Sequence, residues 1–173
     1  MVLGMTPLVL IHTLISLAGI ATGLVVLKGF FGNRRLDRWT GGFLATTILT
    51  SASGFVLPAA KFMPSHAVGV LSLLVLAVCC YARYGKRMAG AWRTGYLLTA
   101  MAALYLNVFV LVVQLFLKVP ALHELAPKGN EPPFAAAQAV VLVAFVVLGV
   151  MAARRFHPAA AVVEDDDEEG AHA

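Results

Sequence analysis

The sequence predicts an all-α fold: a membrane bundle of five transmembrane helices, with its N-terminus outside and its C-terminus inside. Three observations predict it. Of 173 residues, 60% are hydrophobic and 13% are charged, and the mean hydropathy is +0.85, whereas soluble domains are about half apolar and about a quarter charged. The apolar residues form five long runs. The basic residues gather at alternate connections between these runs, which is typical of membrane topology.

Each run approaches or exceeds the roughly 20 residues that a helix needs to cross the hydrocarbon core. Helix is expected because lipid offers no partner to an unpaired backbone group. The predicted spans are residues 6–27, 40–58, 66–84, 94–117 and 134–153. Residues 1–155 are therefore interpreted as one bundle, and the acidic residues 156–173 as a disordered cytoplasmic tail.

Small residues mark the first two spans as closely packed helices. The first span is interpreted as a helix rather than a signal peptide, because no basic residue precedes it and Lys28 and a basic loop follow it. Gly19 and Gly23 in this span form a GxxxG pair, which allows close approach of membrane helices. The second span carries Gly42 and Gly54 in a row with threonines. These four glycines are the predicted packing positions.

The other three spans follow from uninterrupted apolar runs. The third begins with His66 after a proline turn and runs apolar to Arg83. Its two cysteines, Cys79 and Cys80, are adjacent, so they cannot staple the fold and are predicted to be buried packing residues. The fourth and fifth spans have helical length, and two arginines close the fifth.

Charge predicts the orientation of the bundle. Three connections or ends are rich in Arg and Lys, and the positive-inside rule places them in the cytoplasm. The net charge of +4 is thereby attributed to topology and not to nucleic-acid binding. The basic residues concerned are Lys28, Arg34, Arg35, Arg38, Arg83, Lys86, Arg87, Arg93, Arg154 and Arg155.

Polar side chains of all five helices are predicted to gather in the outer half of the membrane. Such groups cost several kcal/mol when they face hydrocarbon, so they should face the bundle interior or a wet cavity. One interpretation is an outward-facing ligand pocket, and the other is that these groups join helices by hydrogen bonds. The candidate residues are His12, Ser51, His66, Asn107, Gln114 and Gln138.

The two histidines raise the question of a cofactor. A neutral imidazole suits haem iron or a quinone carbonyl, and helix bundles commonly hold such groups. Haem b between His12 and His66 is one hypothesis; a structural or interface role for His66 is the other. No hydrolase or transferase motif is present, and no carboxylate lies within a span, which argues against an ordinary enzyme or a carboxylate proton pump.

The stretch from Leu10 to Phe55 resembles a group of uncharacterised bacterial inner-membrane proteins. The shared features are an early membrane histidine, a basic loop and an aromatic–glycine step before the second helix. Here they are carried by His12, Gly19, Arg38, Trp39 and Gly42. A more distant likeness is to four-helix b-type cytochromes, whose several haem histidines within the spans are missing here. The resemblance implies a multi-pass protein of the bacterial cytoplasmic membrane.

Two hypotheses of function follow from these patterns. The first is a binding or redox module that holds a quinone, a haem or a small hydrophobic ligand in the outer polar pocket. The second is a non-catalytic membrane subunit or small transporter, which packs against a membrane partner or another copy of itself.

Overall fold

The computed structural model describes residues 6–57 and 64–158, except for the side chains of residues 64 and 65. The described part contains helices and no strand. A π-helical turn over Tyr81–Gly85 continues the third helix. The α-helices are α1 (Pro7–Phe31), α2 (Asp37–Gly54), α3 (Pro64–Cys80), α4 (Ala91–Lys118), α5 (Pro120–Leu125) and α6 (Pro132–Arg155).

Four helical segments of the described chain are long and apolar enough to cross a membrane. They are Pro7–Phe31, His66–Gly85, Ala91–Lys118 and Pro132–Arg155. The multi-pass membrane class predicted from composition is therefore supported by length and apolar content. Helix α2 is shorter and less apolar, because it begins with Asp37 and Arg38 and is rich in Thr, Ser and Gly.

Helix α1 extends further than the sequence predicts. It begins after Thr6, whose side-chain oxygen accepts the N–H of Val9 at 3.4 Å, and Pro7 occupies its first position. It continues past the predicted end at residue 27 to Phe31. The next helix begins at Asp37, three residues before the predicted start. The basic loop between them is therefore short.

The helices pack in chain order, α1 on α2, α2 on α3, α3 on α4 and α4 on α6, and α4 also packs on α1. The loop between α1 and α2, the π-helical turn after α3 and the end of α6 are the three basic segments. Contacts between them place all three at one end of the bundle, which we call the basic end. The side chain of Asn33 accepts the N–H of His157 at 2.6 Å and donates to its carbonyl at 3.3 Å. The Arg83 guanidinium donates to Asp37. The long helices therefore alternate in direction.

Three aromatic rings form the core of the basic end. Phe30, Tyr96 and Phe156 have ring centroids 4.8–6.2 Å apart. Phe156 is only 1% exposed, so packed structure extends beyond the bundle boundary predicted at residue 155. The predicted disordered tail lies, from residue 159 onward, outside the described residues.

The predicted GxxxG pair lies where α1, α2 and α4 meet. A Cβ added at Gly19 would lie 3.3 Å from Thr46 Oγ1 and from Thr47 Oγ1. A Cβ at Gly23 would lie 2.6 Å from Leu104 and 2.9 Å from the ring of Phe43. Both glycines therefore hold positions of close helix approach.

The other two glycine positions are looser. An added Cβ would lie 3.8 Å from Thr22 at Gly42 and 3.9 Å from His12 at Gly54. These are ordinary van der Waals distances, although both glycines do face α1. Of the four predicted packing glycines, Gly19 and Gly23 on α1 are therefore the two at close helix contacts.

A hydrogen-bonded turn precedes α6 at the opposite end. The Glu131 carboxylate accepts the backbone N–H of Lys128 at 3.0 Å and that of Asn130 at 3.1 Å. These bonds, with the Lys128 bond the larger cause, lower the pKa of Glu131 below its usual value. The ionised carboxylate thus stabilises the turn.

This turn is expected to loosen in acid. A lowered pKa means that the carboxylate stabilises the turn above its unfolded pKa and that this contribution is lost as pH falls through the folded pKa. Hydrogen exchange should show Lys128 and Asn130 amides better protected in wild type than in Glu131→Ala at neutral pH. The difference should vanish below the lowered pKa; a difference that persists there would contradict this role of the carboxylate.

Candidate functional site

His12 is held at the end of the bundle opposite the basic end by a hydrogen bond between α1 and α2. Its Nδ1 lies 2.8 Å from Ser53 Oγ, and the Ser53 hydroxyl donates to the Thr50 carbonyl at 3.1 Å. The Ser53 hydroxyl has one proton, so where it donates to the Thr50 carbonyl, Nδ1 of His12 is the donor in the contact between the two side chains.

His66 lies on another side of the same α2 end. Its ring packs against Phe55, with the centroids 5.6 Å apart. Helix α3 also approaches Phe55 closely, since a Cβ at Gly69 would lie 3.1 Å from the Phe55 ring, while the carbonyl of the buried Ser51 is at an ordinary 3.8 Å. The end of α2 thus contacts His12 on α1 and His66 on α3.

Asn107 ties α4 to α2 inside the bundle. Its Nδ2 donates to Thr47 Oγ1 at 3.1 Å, and both residues are buried. A Cβ on Gly19 would lie 3.5 Å from the same nitrogen, so the missing side chain there makes room for the amide. This contact is an interhelical bond of the kind expected for Asn in a membrane bundle.

The two glutamines differ. Gln138 donates from Nε2 to the Phe109 carbonyl at 3.2 Å and so ties α6 to α4, while its buried Oε1 has no partner among the described residues. Gln114 is exposed on α4. Of the six candidate residues, His12, Asn107 and Gln138 therefore bond to neighbouring helices. Among the described residues, no group of three or more His, Cys, Asp or Glu side chains gathers as a metal site.

A cavity that the sequence did not indicate lies between α4 and α6. Its volume is about 640 Å³, and aliphatic and aromatic side chains supply most of its lining. Thr94 and Arg154 lie at the basic end, and Tyr105 and Phe145 lie toward the middle, with their ring centroids 5.7 Å apart. We call this cavity the α4/α6 groove.

Gly149 is part of the groove lining. A Cβ added to this buried glycine would meet no atom within 4 Å, so the groove is open directly over it. Ala153 follows one turn later and also lines the groove. Gly149 and Ala153 are the sequence feature that could have drawn attention to this face, but small residues at this spacing usually indicate tight helix contact rather than an open space.

A buried arginine organises the basic end. Arg83, 3% exposed, donates to Asp37, lies 3.5 Å from the Arg35 carbonyl and has its guanidinium carbon 4.9 Å from the Tyr96 ring centroid. The Tyr96 hydroxyl lies 3.3 Å from Thr40 Oγ1. Arg35, in the same loop as Asp37, lies 3.8 Å from its carboxylate. The closer partner of Asp37 is Arg83, which belongs to the π-helical turn 46 residues later.

No protein-family model, curated protein or solved structure matches this chain. The resemblance to uncharacterised bacterial membrane proteins stays a prediction.

Proposed function

We propose that the chain crosses the bacterial cytoplasmic membrane five times, with its N-terminus outside and its basic end in the cytoplasm. The shared end of the three basic segments supports this orientation. Helix α2 is the fifth crossing in this proposal. Its buried Thr40, Thr47 and Ser51 face neighbouring helices, so its lower apolar content is not presented to lipid.

We infer that the protein is a membrane binding module whose α4/α6 groove takes the apolar chain of a lipid-borne molecule. The groove itself carries this proposal: its volume of about 640 Å³ falls in the roughly 300–1,000 Å³ of small-molecule sites. Thr94 and Tyr105 are eleven residues apart on α4, which is about 16 Å of helix. One leaflet of the hydrocarbon core is about 15 Å deep, so the groove matches a chain in the cytoplasmic leaflet.

The outer polar residues support a haem or quinone site less well. His12 and His66 contact different residues at the end of α2, and α2 packs against both α1 and α3. A haem ligated by both imidazoles would have to displace that end. The hydrogen bonds that Asn107 and Gln138 make to neighbouring helices favour the interpretation that these side chains join helices.

Filling the groove tests the binding proposal. Gly149→Leu places a side chain in the open space, and Leu favours helix over Gly, so the fold should be retained. Binding of phosphatidylcholine to the delipidated protein, measured by native mass spectrometry, should fall about tenfold, which corresponds to about 1.4 kcal/mol of binding free energy. Gly149→Ala should have a much smaller effect.

The matched control is Gly41→Leu, because an added Cβ also meets nothing within 4 Å there and the residue lies on α2. This variant should retain lipid like the wild type. Unchanged retention by Gly149→Leu would overturn the proposal.

A second candidate function is that of a non-catalytic subunit that packs through α6. A second cavity of about 430 Å³ lies along one face of this helix, lined by Ala139, Val140, Val143 and Ala144. The two alanines of this face are small enough to let a partner helix approach closely. A stable second copy or partner in the native mass spectrum, with lipid retention unaffected by Gly149→Leu, would favour this function.

A further inference from the structure

We propose that the molecule bound in the α4/α6 groove is an anionic phospholipid of the cytoplasmic leaflet, with its phosphate at Arg154 and Thr94. This inference rests on the proposed function and specifies its ligand class. It depends on how charge is distributed along the groove.

The charged residue of the groove lining lies at one end. Arg154 and Thr94 line the groove at the basic end, and both side chains are exposed. The other end is lined by the aromatic and aliphatic side chains of Tyr105, Phe145 and Leu142. An amphiphile therefore has one favourable direction, with its head at the basic end and its chain toward the middle of the bundle.

The charge at the head position is not neutralised within the described structure. The ion pairs of the described residues join Asp37 to Arg35 and Arg83, and neither involves Arg154. A guanidinium binds phosphate oxygens with two parallel N–H bonds, and the Thr94 hydroxyl adds one more donor. Basic pockets between membrane helices on the cytoplasmic side suit anionic lipid head groups.

The neighbouring arginine provides an internal comparison. Arg155 has its guanidinium carbon 5.8 Å from the Phe31 ring centroid, so it faces α1 and does not line the groove. The two arginines carry the same charge at nearly the same depth. Only Arg154 is placed to contact a phosphate in the groove.

The test offers the delipidated protein an equal mixture of phosphatidylglycerol and phosphatidylcholine, scored by native mass spectrometry. The wild type should retain phosphatidylglycerol about fivefold more, since one Arg near an anionic surface contributes that order of preference. Arg154→Gln should abolish the preference, Arg154→Lys should keep part of it, and Arg155→Gln should keep it in full.

Three outcomes separate this inference from the proposed function. If Arg154→Gln keeps the preference, or Arg155→Gln loses as much, the head-group site is overturned and overall surface charge explains selectivity. If the wild type shows no preference while Gly149→Leu still loses lipid, the groove binds chains but the anionic assignment is wrong, as for a neutral quinone. If Gly149→Leu retains both lipids, the proposed function itself fails.

Discussion

Gly23→Leu is expected to destabilise the bundle by about 3 kcal/mol, at the upper end of ordinary overpacking in a core. A Cβ at this position would already lie 2.6 Å from Leu104 and 2.9 Å from the Phe43 ring. Both neighbours are at most 2% exposed and have no free space to enter. The midpoint of thermal unfolding in detergent should therefore fall by roughly 6–12 °C, at about 2–4 °C per kcal/mol for a chain of this size.

The same substitution at an open glycine provides the control. Gly41→Leu adds the same side chain to a helix where a Cβ meets no atom within 4 Å. It should leave the midpoint unchanged or raise it slightly, because Leu favours helix over Gly. Equal midpoints for Gly23→Leu and wild type would mean that α1, α2 and α4 do not meet at this glycine.

Asp37→Ala is expected to cost about 2 kcal/mol, because it leaves the buried Arg83 guanidinium without its carboxylate. Removing one partner of a fully buried pair costs about 3–5 kcal/mol. Here the Asp37 side chain is 71% exposed, so water screens the pair and the expected cost is lower. Thermal unfolding should show a fall of roughly 4–8 °C.

A double-mutant cycle isolates the pair from other effects of losing Asp37. In an Arg83→Met background, Asp37→Ala should cost less than about 0.5 kcal/mol, since no buried charge is left behind. Arg38→Ala is the control for charge in the same loop and should have little effect. Additive costs in the cycle would show that this ion pair does not stabilise the basic end.

The helices and their close contacts could be predicted from local pattern. Long apolar runs located the four most apolar helices within a few residues, and α2 was located from a less apolar run rich in Thr, Ser and Gly. Gly19 and Gly23 were recognised because their four-residue spacing places both on one face of α1, and tight contact follows directly. Helix ends were less predictable: α1 gains a last turn to Phe31 because Phe30 is buried against Tyr96 and Phe156.

Contacts between distant residues could not be predicted in this way. Arg83 reaches Asp37 only because the π-helical turn and the start of α2 meet in the folded bundle. The polar residues were assigned to one half of the membrane from their depth alone. Depth does not say which face of a helix meets a neighbour, so it could not decide between a pocket and hydrogen bonds that join helices. Asn107 and Gln138 bond to α2 and α4, as the second of these interpretations expects.

The α4/α6 groove was missed for a related reason. Gly149 and Ala153 look in sequence like residues of a tight helix contact. Whether small residues meet a partner helix or leave a gap depends on the side chains opposite, here Leu98 and Met101 among others. Which side chains lie opposite Gly149 and Ala153 depends on the tertiary structure and cannot be predicted from local sequence.

The exposed side walls of the α4/α6 groove determine the route by which a bound molecule would enter it. Leu98, Val146 and Val150 line it and are about half exposed along the sides of α4 and α6, which in the proposed membrane face the lipid tails. The lipid proposed to bind there would therefore enter by lateral diffusion in its own leaflet and would not have to dissolve in water. Occupancy then depends on the mole fraction of that lipid in the membrane rather than on an aqueous concentration. The fraction of protein with bound lipid would therefore change with the lipid composition of the membrane.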